Sequence, residues 1–167
     1  LLVILLLSAH TGNAENPVVR AKFVGFECGM GIGGWLTNYK RFNVLPEDRR
    51  MDITIGDLEH FREYITEWDV RNIAKMKMDH VRLGFDQIVV EEHNNPGTYR
   101  EETISHMINF VNWCEKYDLN VVLNMHKALG NYCDIKEELS LMDDPELQSR
   151  FINVWVELEK RFADYPD

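Results

Sequence analysis

One pattern recurs three times along this chain of 167 residues: an apolar run, a polar loop, then an amphipathic helix. Such alternation leads to a parallel sheet, because each returning parallel strand needs a crossover, usually helical. The first strand is expected at about Ala21–Phe26, leading through the Gly-rich segment Gly29–Gly34 into a long connection that reaches Phe61. Thr66 with Asp69 three residues on has the form of a capping box, and Val70, Ile73 and Ala74 mark the inner face of the helix it opens. The second strand is His80–Phe85, followed by the turn-rich Asn94-Asn95-Pro96-Gly97. Ile104, Met107, Ile108, Val111 and Cys114 then keep helical spacing. The third strand, Asn120–Met125, ends at His126. Asp144 as N-cap and Pro145 at the first helical position open the last helix, where Leu147, Phe151, Val154, Trp155, Leu158 and Phe162 share a face.

Two architectures satisfy this order: a doubly wound open sheet, or part of an eight-stranded barrel. Connections after strands are long and polar, whereas those after helices are as short as Met78-Asp79 and Tyr117-Asp118. That asymmetry belongs to a barrel with its site at the strand carboxyl ends, and a doubly wound sheet can share it. A content of 45% hydrophobic and 28% charged residues suits one globular domain with its own core. The formal net charge of −10, with no basic block, excludes electrostatic attraction to nucleic acid or an anionic membrane. A neutral polar substrate fits this balance better. No apolar run reaches the length of a membrane span. Residues 1–14, with the apolar run Leu1–Leu7 and the small residues Gly12-Asn13-Ala14, are expected to be a truncated signal peptide cleaved before Glu15. On that reading 15–167 is the folded part and the protein is exported to the extracellular space. The competing reading is an apolar N-terminal strand in a cytoplasmic protein.

The candidate chemistry is sparse. Gly29-Met30-Gly31-Ile32-Gly33-Gly34 formally matches Gly-x-Gly-x-x-Gly, but Trp35, Asn38, Tyr39 and Pro46 follow without helical periodicity, so a dinucleotide site is rejected. The segment instead lets backbone pass close to a ligand or a neighbouring strand. Arg82, inside the second strand, is expected to need a carboxylate partner if buried, with Asp86 as a candidate. His126 at a strand end can bond a substrate hydroxyl or move a proton, though a satisfied core histidine is the commoner outcome. Trp35 and Tyr39, expected in the loop after the first strand, offer faces for sugar rings or for packing. Trp68, Trp113 and Trp155 are read as packing, and His60, His80, His93 and His106 as solvated. Of three cysteines, Cys114 falls on an apolar helix face, and Cys28–Cys133 is the one pair to consider for a bridge. No Cys/His cluster has zinc spacing, so neither metal nor organic cofactor is expected. Glu27, Asp86, Glu91 and Glu92 lie near strand ends, but spacing specifies no catalytic pair.

Taken in order, Gly33-Gly34-Trp35-Leu36, Phe61-Arg62-Glu63-Tyr64-Ile65-Thr66-Glu67, Asp79-His80-Val81-Arg82-Leu83, Trp113-Cys114-Glu115-Lys116-Tyr117, Val121-Val122-Leu123-Asn124-Met125-His126-Lys127-Ala128 and Asp143-Asp144-Pro145-Glu146-Leu147-Gln148 resemble glycoside hydrolase family 5, cellulase-type β-glucanases in particular. The resemblance covers about Phe23 to Tyr165. It implies a (β/α)8 TIM barrel of which this chain holds the first three βα units. It also implies retaining cleavage of β-linked glucans or mannans by two glutamates, an acid/base and a nucleophile, both expected beyond Asp167. Arg82 matches the family's second-strand arginine, which positions the nucleophile and keeps it ionised. His126 matches the third-strand histidine that binds sugar at the cleavage subsite, and Trp35 matches a residue beside the cleft.

Two positions depart from the family's pattern: Gly84 where a proline is usual after Val-Arg-Leu, and Leu129 where Lys-Ala is commonly followed by Pro-Gly. Both are expected to loosen loops near the cleft. The resulting expectation is an N-terminal part of a secreted β-glucanase, its partner a β-glucan polysaccharide or oligosaccharide, inactive as this chain alone. The alternative is a catalytically dead chain kept as a carbohydrate- or partner-binding remnant. Asn120–Met125 carries neither charge nor proline to blunt an open sheet edge, which argues against a stand-alone module. An isomerase or metal-dependent barrel would need a phosphate loop or a ligand cluster that Arg82 and His126 do not supply.

Overall fold

The computed structural model describes residues 24–37, 51–131 and 140–165. Three parallel strands, β1 (Gly29–Leu36), β2 (His80–Asp86) and β3 (Asn120–Lys127), pair in the order β1-β2-β3. Helices α1 (Ile55–Glu63) and α2 (Glu67–Lys75) join β1 to β2. The short α3 (Gln87–Val90) and the longer α4 (Glu101–Lys116) join β2 to β3, and α5 (Pro145–Arg161) follows β3. The α/β class and parallel sheet expected from the alternation are what the structure holds.

Side chains alternate across the strands, so each strand has two fates. Val81, Leu83 and Phe85 of β2, with Val121 and Leu123 of β3, turn toward the helices and are buried with Val70, Ile73, Met107, Phe110, Val154 and Leu158. The opposite face carries Gly29 and Gly31 beside His80 and Arg82, which sit beside Asn120 and Val122 in register. Among the described residues, helices thus cover one face and leave the other open.

Two helix starts are those the sequence specifies. Thr66 accepts the backbone of α2 while its own N–H donates to the Asp69 carboxylate at 2.9 Å. Asp144 accepts from Glu146 N at 2.8 Å with Pro145 at the first turn. Three expectations need correction. The strand placed at Ala21–Phe26 is β1 at Gly29–Leu36: 24–26 are not strand, and 21–23 lie outside the described residues. The Gly-rich run is itself the strand, because a Cβ at Gly29 would collide with the His80 ring of the neighbouring strand. The connection to Phe61 contains α1, opened by a capping box between Thr54 and Asp57.

At the amino end of the sheet, Asp79 anchors the chain entering β1. Its carboxylate accepts His80 Nδ1 at 2.7 Å and the amides of Glu27 and Cys28 at 2.8 and 3.0 Å. The His80 bond first, then the two amides, hold the Asp79 carboxyl below the usual carboxylate range. A depressed folded pKa stabilises at neutral pH and is lost as pH falls through that lowered value. Asp79→Asn is therefore expected to flatten the acid limb of stability against pH. An acid limb identical to wild type would show that these bonds add nothing to folding.

Candidate active site

The open sheet face gathers three polar side chains. Arg82 is exposed, and its Nη2 donates to Asn124 Oδ1 and lies 3.4 Å from His126 Nδ1. Because Arg82 and Asn124 point to the same face two residues out of register, a long side chain on β2 reaches diagonally along β3. Gly31 lies opposite Arg82 on the other flank, where an added Cβ would approach Nη1 to 3.9 Å. The guanidinium has only donors, so its contact with His126 Nδ1 favours the tautomer in which Nδ1 accepts and Nε2 carries the proton. That nitrogen is a donor for a hydroxyl oxygen.

Sequence reasoning anticipated Arg82 and His126, and the structure brings them together. It missed Asn124, whose sole signal was its place two residues before His126 on an expected strand. Arg82 is exposed, so the condition under which it needed a carboxylate is not met, and Asn124 and His126 take its hydrogen bonds where Asp86 was the candidate. Asp86 is buried opposite Lys127 instead. Trp35 lies in β1 and not in the loop after it: 1% exposed, it donates Nε1–H to Phe61 O at 2.8 Å and packs on Phe110. That burial leaves its indole no open face for a sugar. Tyr39 and Cys133 lie outside the described residues, as does the segment 1–14.

Other assignments divide similarly. Cys114 is core, and burial pushes its thiol up to about 12. His60, His80, His93 and His106 are half-buried and not solvated. His60 Nε2 sits 2.6 Å from Gly34 O, and burial is the main cause lowering the His106 pKa. Trp113 and Trp155 pack partly against the core, but Trp68 is 69% exposed on α2. Among the strand-end carboxylates, Glu27 lies before β1, at the end of the sheet away from His126, and Glu91 is buried against Arg150 of α5 at 3.1 Å.

A groove of about 720 Å³ runs along β3 and α5, with Asn124, His126, Met142, Phe151, Ile152 and Trp155 on its walls. A smaller polar cavity of about 350 Å³ lies among Asp52, Thr54, Glu92, His93 and Arg100. Among the described residues no cluster of three His, Cys, Asp or Glu could hold a metal ion. No described helix is long and apolar enough to cross a membrane.

A parallel α/β unit with polar side chains on the face and strand ends left free by its described helices has the architecture in which ligands bind at the carboxyl ends of the strands. Residues 47–167 match the cellulase family, glycosyl hydrolase family 5, and the chain belongs to that family. It is 38% identical over 142 residues to endoglucanase C of Acetivibrio thermocellus, covering 84% of this chain and 37% of that protein. Endoglucanase C307 of Clostridium sp. (strain F1) is similar to the same extent. Cellodextrinase A of Ruminococcus flavefaciens is 30% identical, over 83% of this chain and 37% of its own length. The chain thus spans little more than a third of these relatives.

Proposed function

We propose that the chain is the N-terminal part of a retaining β-glucanase, built as the first three βα units of a (β/α)8 barrel. The observation that carries this reading is the meeting of Arg82 and His126 on the open sheet face of a family 5 chain. In the closed barrel that face points inward, with both side chains toward the bound polysaccharide. The substrate is cellulose or a related β-glucan, in keeping with a neutral polymer and a protein of net charge −10. Relatives at 30% identity or more include proteins named endoglucanase and cellodextrinase.

Chemistry in this reading is a double displacement by two glutamates about 5–5.5 Å apart, supplied by later strands of the barrel. His126, with Nδ1 turned to Arg82, donates Nε2–H to a hydroxyl of the sugar at the cleaved bond. Arg82 keeps the nucleophilic carboxylate ionised through its charge and holds it in line through its fork of donors. Asn124 accepts from the same Nη2 that faces His126 and so fixes the guanidinium. The apolar run of Leu1–Leu7 and the small residues before Glu15 support export, as a glucanase acting on insoluble polymer requires.

The test is hydrolysis of soluble β-glucan by the full-length protein, with the anomer of the first-released sugar followed by NMR. Release of the β-anomer is expected. An α-anomer as first product would refute retention, and absence of hydrolysis by the folded full-length protein would refute the glucanase reading.

A further inference from the structure

Behind the open face lies a buried polar chain with no place in the chemistry above. Gln87, fully buried at the start of α3, accepts Leu129 N–H on Oε1 at 3.0 Å and donates Nε2–H to Glu91 Oε2 at 2.9 Å. The same Glu91 oxygen accepts Nε and Nη2 of Arg150 on α5, both at 3.1 Å. Its other oxygen accepts Gly97 N at 2.9 Å, and Arg150 Nη2 also reaches Glu92 O at 3.2 Å. One amide orientation satisfies this network: a carboxylate only accepts and a backbone N–H only donates, so Gln87 must turn its NH2 to Glu91 and its oxygen to Leu129.

Leu129 stands three residues after His126, in the turn that leaves β3. Ala128 O accepts from Asn131 N at 3.0 Å, and Gly130, at φ 73°, accepts Leu141 N at 3.0 Å. Gln87 adds the tie from the turn to α3. A proline at 129 has no N–H to offer, so the tie depends on residue 129 not being proline. Buried hydrogen bonds are costly to leave unmade, and this one joins a turn to a charge pair already fixed between Glu91, the residue that follows α3, and Arg150 of α5.

We propose that Gln87 is a positioning residue for His126: it couples the buried Glu91–Arg150 pair to the Leu129 amide and so fixes the turn that sets the imidazole. The proposal rests on the glucanase reading only for its effect on catalysis. Its structural half is independent of substrate. The experiment is amide hydrogen exchange at Leu129 and His126 ring NMR in the full-length protein, with kinetics on soluble β-glucan alongside.

Gln87→Leu is expected to speed exchange at Leu129 at least about tenfold, shift the His126 ring signals, and lower kcat about tenfold to a hundredfold. Gln87→Met fills nearly the same space without an amide, so it is expected to speed exchange at Leu129 and shift the His126 signals as much, which loss of core packing alone would not predict. Should Gln87→Leu fail to fold, Gln87→Met decides the matter. Leu129 exchange and His126 signals unchanged in Gln87→Met overturn the proposal. If the wild-type protein hydrolyses no glucan, the glucanase reading falls while exchange at Leu129 still decides the role of Gln87.

Discussion

Replacing His126 with alanine in the full-length protein is expected to lower kcat/KM on soluble β-glucan by about two to three orders of magnitude. The argument starts from position. His126 is exposed at the end of β3, on the face without helices, so truncating it opens no core cavity and leaves the sheet register unchanged. A large loss of activity at unchanged melting temperature would therefore come from contacts with substrate. Arg82→Ala is expected to cost a similar factor, because Arg82 faces the His126 ring at 3.4 Å and holds its acceptor nitrogen inward. The double variant should lose much less than the product of the two factors, since residues acting as one unit are strongly non-additive. Lysine at 82 should not rescue: an ammonium carries the charge but cannot fork between Asn124 and a carboxylate. Activity within about twofold of wild type for His126→Ala would remove the residue from the site.

What was legible in the sequence was what local rules decide. Thr66 with Asp69, and Asp144 with Pro145, mark helix starts through bonds that span three residues at most, so no distant partner is needed. The strands β2 and β3 declared themselves as short apolar runs bounded by turns. β1 did not, because its glycines have low strand propensity, and the need for one of them, Gly29, comes from the His80 ring of β2, 51 positions on. Helix α1 hid for a related reason: it buries only Asp57 and Phe61 and leaves Ile55 outward, so its apolar periodicity is weak. Arg82 and His126 were singled out, but chemistry alone left each an even or losing choice against a structural role. Their meeting, and Asn124 between them, needed the register of β2 on β3. Gln87 opens the short α3 and Glu91 follows its last residue, a spacing of four visible in the sequence. Arg150, 59 residues further, was not inferable without the packing of α5.

Breaking that buried pair is the change expected to cost most in stability. Arg150→Met should destabilise the folded protein by about 3–5 kcal/mol, read as a shift of the urea midpoint. The Glu91 side chain is 1% exposed and that of Arg150 10%, so solvent cannot replace the lost charge. The Lys116–Glu67 bridge, at 2.6 Å, is shorter but lies 60% and 40% exposed, and water screens it. Lys116→Ala should accordingly leave the midpoint close to wild type, despite the closer contact. Burial, not distance, decides between the two. Replacing both partners with apolar residues often restores stability in isolated buried pairs. Here it should not, because Glu91 also accepts Gln87 Nε2–H and the Gly97 amide, and Glu91→Leu with Arg150→Leu would orphan both donors. A double variant as stable as wild type would mean those donors find other partners, and that the pair fixes geometry without being needed for folding.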